Sequence, residues 1–173
     1  HDYIDLSAYK ISPNEKLLAL TIDTSGAELH KLIVKDIKTG EILDDHLSNL
    51  DGSVEWANDN KTLFYTVLDK AHRSYQLWRH ELGDEQSDDL LVHQEDDDRF
   101  SVGLHRTKSG EFLKMDLESQ ITTEVYLLDR NDPFGEWKLV QPREQGVEYY
   151  VYHHGNYLYQ ITNKDAINFK MIR

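Results

Sequence analysis

Cysteine is absent from the 173-residue chain, which removes disulfide frameworks, thiolate nucleophiles and cysteine-ligated zinc from consideration. The absence is compatible with a reducing cytoplasm, the location expected from it. Positive charge is scarce: 19 Lys+Arg stand against 32 Asp+Glu, a formal net charge of −13. Such a surplus repels phosphate backbones and anionic lipid, so no nucleic-acid and no membrane partner is expected, and basic partners or substrates are favoured. No run approaches the roughly 18 uninterrupted apolar residues of a membrane helix, and no charged-then-apolar leader opens the chain. The first residue is His1 rather than Met, from which a processed product or an excised piece is expected. Alanine, the best helix former, occurs only six times, and no segment holds a 3.6-residue period beyond about two turns.

What is present favours strands. Val, Ile, Thr, Tyr, Phe and Trp, which suit a pleated, half-buried surface, fill 46 positions. Apolar residues alternate in Val34-Lys35-Asp36-Ile37, from Tyr75 to Leu82 and from Glu124 to Leu128, with polar turn clusters between such runs. The bland reading is an all-β sandwich, barrel or propeller. A repeat decides among them. ISPNEKLLAL from Ile11, VEWANDNKTLFYTV from Val54, LHRTKSGEFLKM from Leu104 and YHHGNYLYQI from Tyr152 share a turn-then-strand pattern, with Leu18, Leu63, Phe112 and Tyr157 taken as equivalents. Each full copy continues into a second alternating strand and a short fourth one, at residues 41–46, 88–93 and 136–140. Four strands per repeat of about 40–50 residues mark a β-propeller blade.

The expected fold is therefore a partial β-propeller: three complete four-stranded blades at about 7–47, 53–93 and 100–140, and an incomplete fourth at 147–173. Inner strands are expected at 8–12, 53–57, 100–106 and 147–153. Tight turns follow them at Pro13-Asn14-Glu15-Lys16, Asn58-Asp59-Asn60-Lys61, Thr107-Lys108-Ser109-Gly110 and His154-Gly155-Asn156, whose residues pre-set turn dihedrals or tolerate positive φ. Closed propellers have about 4–8 blades and abolish sheet edges by closing the ring, so the chain is expected to be a piece of a longer protein.

WANDNKTLFYTVLD from Trp56, HRSYQLWRHELG from His72, QEDDDRFSVGLHRTKSG from Gln94, TTEVYLLD from Thr122 and QPREQGVEYYVYHHGNYLYQITN from Gln141, together with the first repeat, resemble the propeller of the prolyl oligopeptidase family of serine peptidases, in its oligopeptidase B (protease II) branch. The resemblance runs from about Tyr9 to Arg173. It implies a seven-bladed propeller in the intact protein, over an α/β-hydrolase domain that cleaves short peptides after Arg or Lys. The family's catalytic residues lie in that C-terminal domain, so none transfers onto this sequence. In agreement, no Gly-x-Ser-x-Gly elbow occurs, and Gly52-Ser53-Val54 opens an expected inner strand. The chain itself is not expected to be an enzyme.

Other motifs read as structure. His153-His154 are neighbours on a strand and point to opposite faces, unable to share a metal. Asp129-Arg130-Asn131-Asp132-Pro133-Phe134 starts like a calcium loop but has Pro at the third ligand position and Phe where Gly is needed. Asn60-Lys61-Thr62 has the form of a glycosylation sequon and reads as a turn asparagine. Trp56, Trp78 and Trp137, on expected first, third and fourth strands, read as inter-sheet packing. No metal or cofactor is expected.

The acidic clusters Asp84-Glu85, Asp88-Asp89 and Glu95-Asp96-Asp97-Asp98 read first as solvated loops. Alternatively, residues 95–98 face the catalytic domain and attract basic peptides, since carboxylates around a cleft focus a field that concentrates cations. Loops joining second to third strands and fourth to first strands emerge on one propeller face, and they are the longer and more charged set here. They comprise residues 24–28, 48–52, 68–74, 95–99, 119–122, 143–146 and 163–167. On that face Asp51, Arg73, Asp98, Arg143 and Glu144 are candidates for interdomain ion pairs, and Asp96 and Asp97 for substrate steering. The function expected is that of a non-catalytic cap admitting short peptides to a peptidase domain. The competing class is a free-standing scaffold binding a basic protein partner. Open terminal blades predict self-association.

Overall fold

The computed structural model describes residues 3–173 and is all-β apart from one 3-10 turn at Gln86–Asp88. A seven-stranded antiparallel sheet runs in sequence order: β1 (Asp5–Ile11), β2 (Leu17–Asp23), β3 (His30–Asp36), β4 (Ile42–Trp56), β5 (Thr62–Leu68), β6 (Ser74–Glu81) and β7 (Leu90–Gln94). A four-stranded sheet follows, of β8 (Ser101–Arg106), β9 (Phe112–Glu118), β10 (Thr123–Asp129) and β11 (Lys138–Gln141), and then a three-stranded one of β12 (Tyr149–His154), β13 (Tyr157–Thr162) and β14 (Lys170–Ile172).

The first sheet is continuous because β4 serves two partners. Residues from Ile42 to Leu50 pair with β3, and Val54, Glu55 and Trp56 pair with β5. Residues 48–52, expected as a loop from their Asn-Leu-Asp-Gly composition, are strand. Leu47 and Leu50 are buried on the core side, and that burial overrides the local turn preference. The register breaks between Leu50 and Val54 around Gly52, whose φ is +112°. A Cβ there would collide with the Ser7 side chain, 2.8 Å from Ser7 Cβ, so glycine permits both the dihedral and the close approach of β1.

The tight turns share one device. Glu15, Asn60, Gly110 and Gly155 have φ of 61°, 63°, 78° and 58°. In the first three copies the turn closes by matching backbone bonds, Ser12 N to Leu17 O, Ala57 N to Thr62 O and Thr107 N to Phe112 O, each 2.9 Å. That matching places Leu113, not Phe112, in register with Leu18 and Leu63. The repeat marker in the third copy lies one residue later than the sequence pattern put it.

Alternation along the strands sends neighbours to opposite cores. Leu63 and Tyr65 join Leu32, Val34, Leu47, Val54 and Trp56 in one cluster, while Phe64 joins Leu77, Phe100, Val102, Leu113 and Met115 in the next. A third cluster unites Val125 and Leu127 of β10 with Tyr149 and Val151 of β12. The Tyr149 hydroxyl pins that last interface, donating to Gln141 O (2.5 Å) and accepting from Val125 N (2.8 Å). The tryptophans pack between sheets: Trp56 is buried with its Nε1 on Lys10 O, Trp78 lies against the same cluster, and Trp137 meets Phe64 edge-on.

Candidate functional site: the charged loop rim

Antiparallel order places the connections β2–β3, β5–β6, β9–β10 and β13–β14 at the same end as the passages β7–β8 and β11–β12. At this rim the long loops are fastened to one another by two arginines. Arg73, the last residue of the β5–β6 loop, donates from Nη1 to the carbonyls of Glu95 (3.2 Å), Asp97 (3.1 Å) and Phe100 (2.7 Å), and from Nε to Asp69 Oδ2 (2.9 Å). Its fork thereby shapes the β7–β8 passage by satisfying carbonyls that a loop leaves without partners.

Arg143, following β11, sits over the Phe100 ring with its guanidinium carbon 4.0 Å from the centroid. Its Nη2 donates to Glu95 Oε2 (2.6 Å) and Glu124 Oε1 (3.3 Å), and its backbone N–H donates to Glu124 Oε2 (2.8 Å). Both carboxylates are buried, so the guanidinium supplies the compensation their desolvation demands. Burial pushes the Glu124 carboxyl up, but the bonds and charge of Arg143 outweigh it and hold the pKa below its ordinary value. Tyr126 donates its hydroxyl to Glu124 Oε1 (3.1 Å), and burial followed by the Glu124 charge raises its pKa. His93 lies nearby with Nε2 buried and unpartnered, and burial lowers its pKa.

The residues picked out by sequence thus divide. Arg73 and Arg143, expected as interdomain partners, spend their donors inside the chain. Guanidinium groups carry five N–H donors, and the loop carbonyls and buried carboxylates of this rim take them up. Asp97 is likewise engaged, accepting from Arg99 Nε (2.9 Å), Nη2 (2.6 Å) and N (3.1 Å). Those Arg99 bonds, side chain first, lower its pKa to about 2. Glu144 accepts from Lys164 Nζ at 2.5 Å. Asp51 accepts only from Ser53 N, and Asp96 from Gln94 Nε2. Among the described residues no cationic side chain lies within ion-pair distance of Asp51, Asp96 or Asp98. Asp98 borders a cleft of about 420 Å³ with Arg99, Phe100, Ser119, Gln120, Ile121 and Gln145.

Sequence reasoning missed Glu95 and Glu124 as the buried partners that organise this rim. Glu95 sat inside an acidic run and Glu124 inside an alternating strand, and neither position signals burial. Among the described residues no group of three or more His, Asp or Glu side chains is arranged to hold a metal ion.

The comparisons with known proteins agree with this architecture. Residues 1–173 match the family model described as "Prolyl oligopeptidase, N-terminal beta-propeller domain". Protease 2 of Moraxella lacunata is 33% identical over 174 residues, covering 99% of this chain and 25% of that protein. Dipeptidyl aminopeptidase BI of Pseudoxanthomonas mexicana is 34% identical over 173 residues, covering 99% and 24%. The solved structure of oligopeptidase B from Leishmania major superposes with a TM-score of 0.91 at 31% identity, covering 98% of this chain and 24% of that one. The chain spans about a quarter of the length of the relatives it matches. It belongs to the prolyl oligopeptidase family, matching that family's N-terminal β-propeller domain.

Proposed function

We propose that this propeller portion carries no catalysis of its own and serves, in the intact peptidase, as a cap over an α/β-hydrolase domain that cleaves short peptides after Arg or Lys. The observation that carries this reading is the asymmetry of charge on the loop rim. Its arginines are consumed internally while, among the described residues, Asp51, Asp96 and Asp98 have no cationic partner, so the rim presents net negative potential to whatever faces it. Carboxylates in that position raise the local concentration of basic peptides and fall off in effect with salt. The test is the intact peptidase carrying Asp96→Asn and Asp98→Asn together. KM for a peptide with two basic residues is expected to rise at low ionic strength, with kcat unchanged and the difference disappearing in high salt. An unchanged KM at low salt overturns the steering role.

A second reading rests on a different surface. At the first edge Ile4, Leu6, Tyr9 and Ile11 are exposed, and at the last Tyr150, Tyr152, Tyr157 and Met171. Apolar sheet faces and unpaired strand edges of this kind favour association. Copies of the chain pack through these ends in this reading, and the same charged rim is free to receive a basic protein partner as a scaffold would. Sedimentation at micromolar concentration and moderate salt is expected to show concentration-dependent association, and a compact monomer at every concentration overturns it.

A further inference from the structure

Away from the loop rim, His80 occupies a setting that ordinary core packing does not require. It lies on β6, on the face shared with Trp78, and its side chain is 0% exposed. Nδ1 stands 2.7 Å from Asp89 Oδ1 and Nε2 stands 3.3 Å from Asp45 Oδ1. Both carboxylates are buried, and they arrive from separate segments. Asp45 belongs to the part of β4 that pairs with β3, and Asp89 ends the connection between β6 and β7. Behind them Tyr65 of β5 donates its hydroxyl to Asp89 Oδ2 (2.7 Å), and Gly83 N donates to Asp45 Oδ1 (2.5 Å). Gln86, beside the Tyr65 hydroxyl, is bonded in both directions to the backbone of Ser48.

A neutral imidazole has one N–H and one lone pair. Between two carboxylates it would have to aim the lone pair at one of them, whereas the imidazolium donates to both. We propose that His80 is held as a buried imidazolium that bolts the first half of β4 to the β6–β7 connection, and that its deprotonation as pH rises unlatches this seam. The electrostatics run the same way. Burial opposes the charged ring, but the hydrogen bond and charge of Asp89, then those of Asp45, outweigh it and set the pKa above the ordinary histidine value. A histidine with a raised folded pKa adds stability that is fully present below its unfolded value near 6.5 and is lost as pH rises through the folded one. With its two carboxylates ionised, the seam therefore loosens as pH rises through the raised folded value of His80, a sense opposite to that of the carboxylate pairs on the loop rim.

The test is a titration of the 173-residue chain labelled with ¹⁵N-histidine, with His80 assigned by the loss of its signal in His80→Gln. Its two ring nitrogens are expected to stay protonated at a pH where free histidine is neutral, with a midpoint above about 6.5. The melting-temperature advantage of the wild type over His80→Gln is expected to be largest below that midpoint and to narrow through it. Exchange of the Gly83 and Ser48 amides, corrected for intrinsic rate, should quicken over the same range. A midpoint at or below the free value, or parallel melting curves for the two proteins, overturns the proposal. Should His80→Gln fail to fold, Asp45→Asn supplies the second reading: removing one acceptor is expected to lower the His80 midpoint, and an unmoved midpoint overturns the bolt.

Discussion

Arg130 on the turn rim and Arg143 on the loop rim each join the seven-stranded sheet to the four-stranded one, yet they do it with different partners. Arg130, buried, donates from Nε to Trp56 O (3.0 Å) and from Nη1 to Gly110 O (2.6 Å), while its own carbonyl accepts from Asn58 N (2.7 Å). Its contacts are backbone atoms, supplemented by the amide pair of Asn58 and Asn131. Arg143 meets two carboxylates and an aromatic face. The consequence appears in opposite pKa directions. Burial, reinforced by Arg106, lowers Arg130, whereas the Glu95 and Glu124 bonds and charges overcome burial and raise Arg143. Carbonyl bonds fix geometry independently of salt and pH over the physiological range. Carboxylate pairs hold the other rim through interactions that ionic strength and acid can weaken. One end of the sheets is thus closed by bonds insensitive to salt and acid, and the other by ion pairs that both can weaken.

Replacing Arg130 should produce the largest change. Arg130→Met keeps much of the volume but leaves the Trp56 and Gly110 carbonyls without their donor. At about 1–3 kcal/mol for each buried unsatisfied group, a loss of roughly 3–4 kcal/mol is expected. The loss should be equal in low and high salt, as read by urea unfolding. A loss below about 1 kcal/mol would show that the turn rim does not depend on this arginine.

Arg143→Met should cost less, because its side chain remains 29% exposed. The expected loss of about 2 kcal/mol lies between the scale of exposed pairs, under about 1, and that of broken buried pairs, about 3–5. Here pH provides the sharper discrimination. Glu124 has a depressed folded pKa, so its contribution is present above the unfolded value and lost as pH falls through the folded one. The stability gap between wild type and Arg143→Met should accordingly shrink in acid. A gap that stays constant down to pH 3 would mean that packing on Phe100, and not charge, holds this arginine.

The two rims were unequally legible in the sequence, for physical reasons. Period-2 alternation and turn residues that accept positive φ are local signals, so the all-β class and the positions of the turns around Glu15, Asn60 and Gly110 were readable. Burial of polar groups is a tertiary property. Asp89 looked like one more member of a solvated acidic run beside Asp88, yet it is sealed against His80 and Tyr65. His80 did carry a faint signal, an alternating-strand position in phase with Trp78 and Leu82. Residues 48–52 showed turn composition, and only the packing of Leu47 and Leu50 revealed a strand. Arg73 and Arg143 stood out as candidates for interdomain ion pairs, but a sequence does not say whether a guanidinium will find its acceptors within its own chain, as both do here.

The smallest expected effect belongs to Asp97 and Arg99, whose bidentate contact sits within one loop of the charged rim. The pair closes no gap between sheets, and the Arg99 side chain is 67% exposed, so solvent screens most of its attraction. Asp97→Asn should leave the melting temperature at neutral pH nearly unchanged. Whatever small difference exists has a defined pH window, because the folded pKa of about 2 lies below the ordinary aspartate value of 3.8. The sign follows: the contribution is present above about 3.8 and disappears as pH falls toward 2. Added salt should remove the difference at neutral pH as well. A large, salt-independent drop on Asp97→Asn would mean that the 95–99 passage is fixed by this carboxylate and not by the Arg73 fork on its carbonyls, and would move the loop rim closer in character to the turn rim.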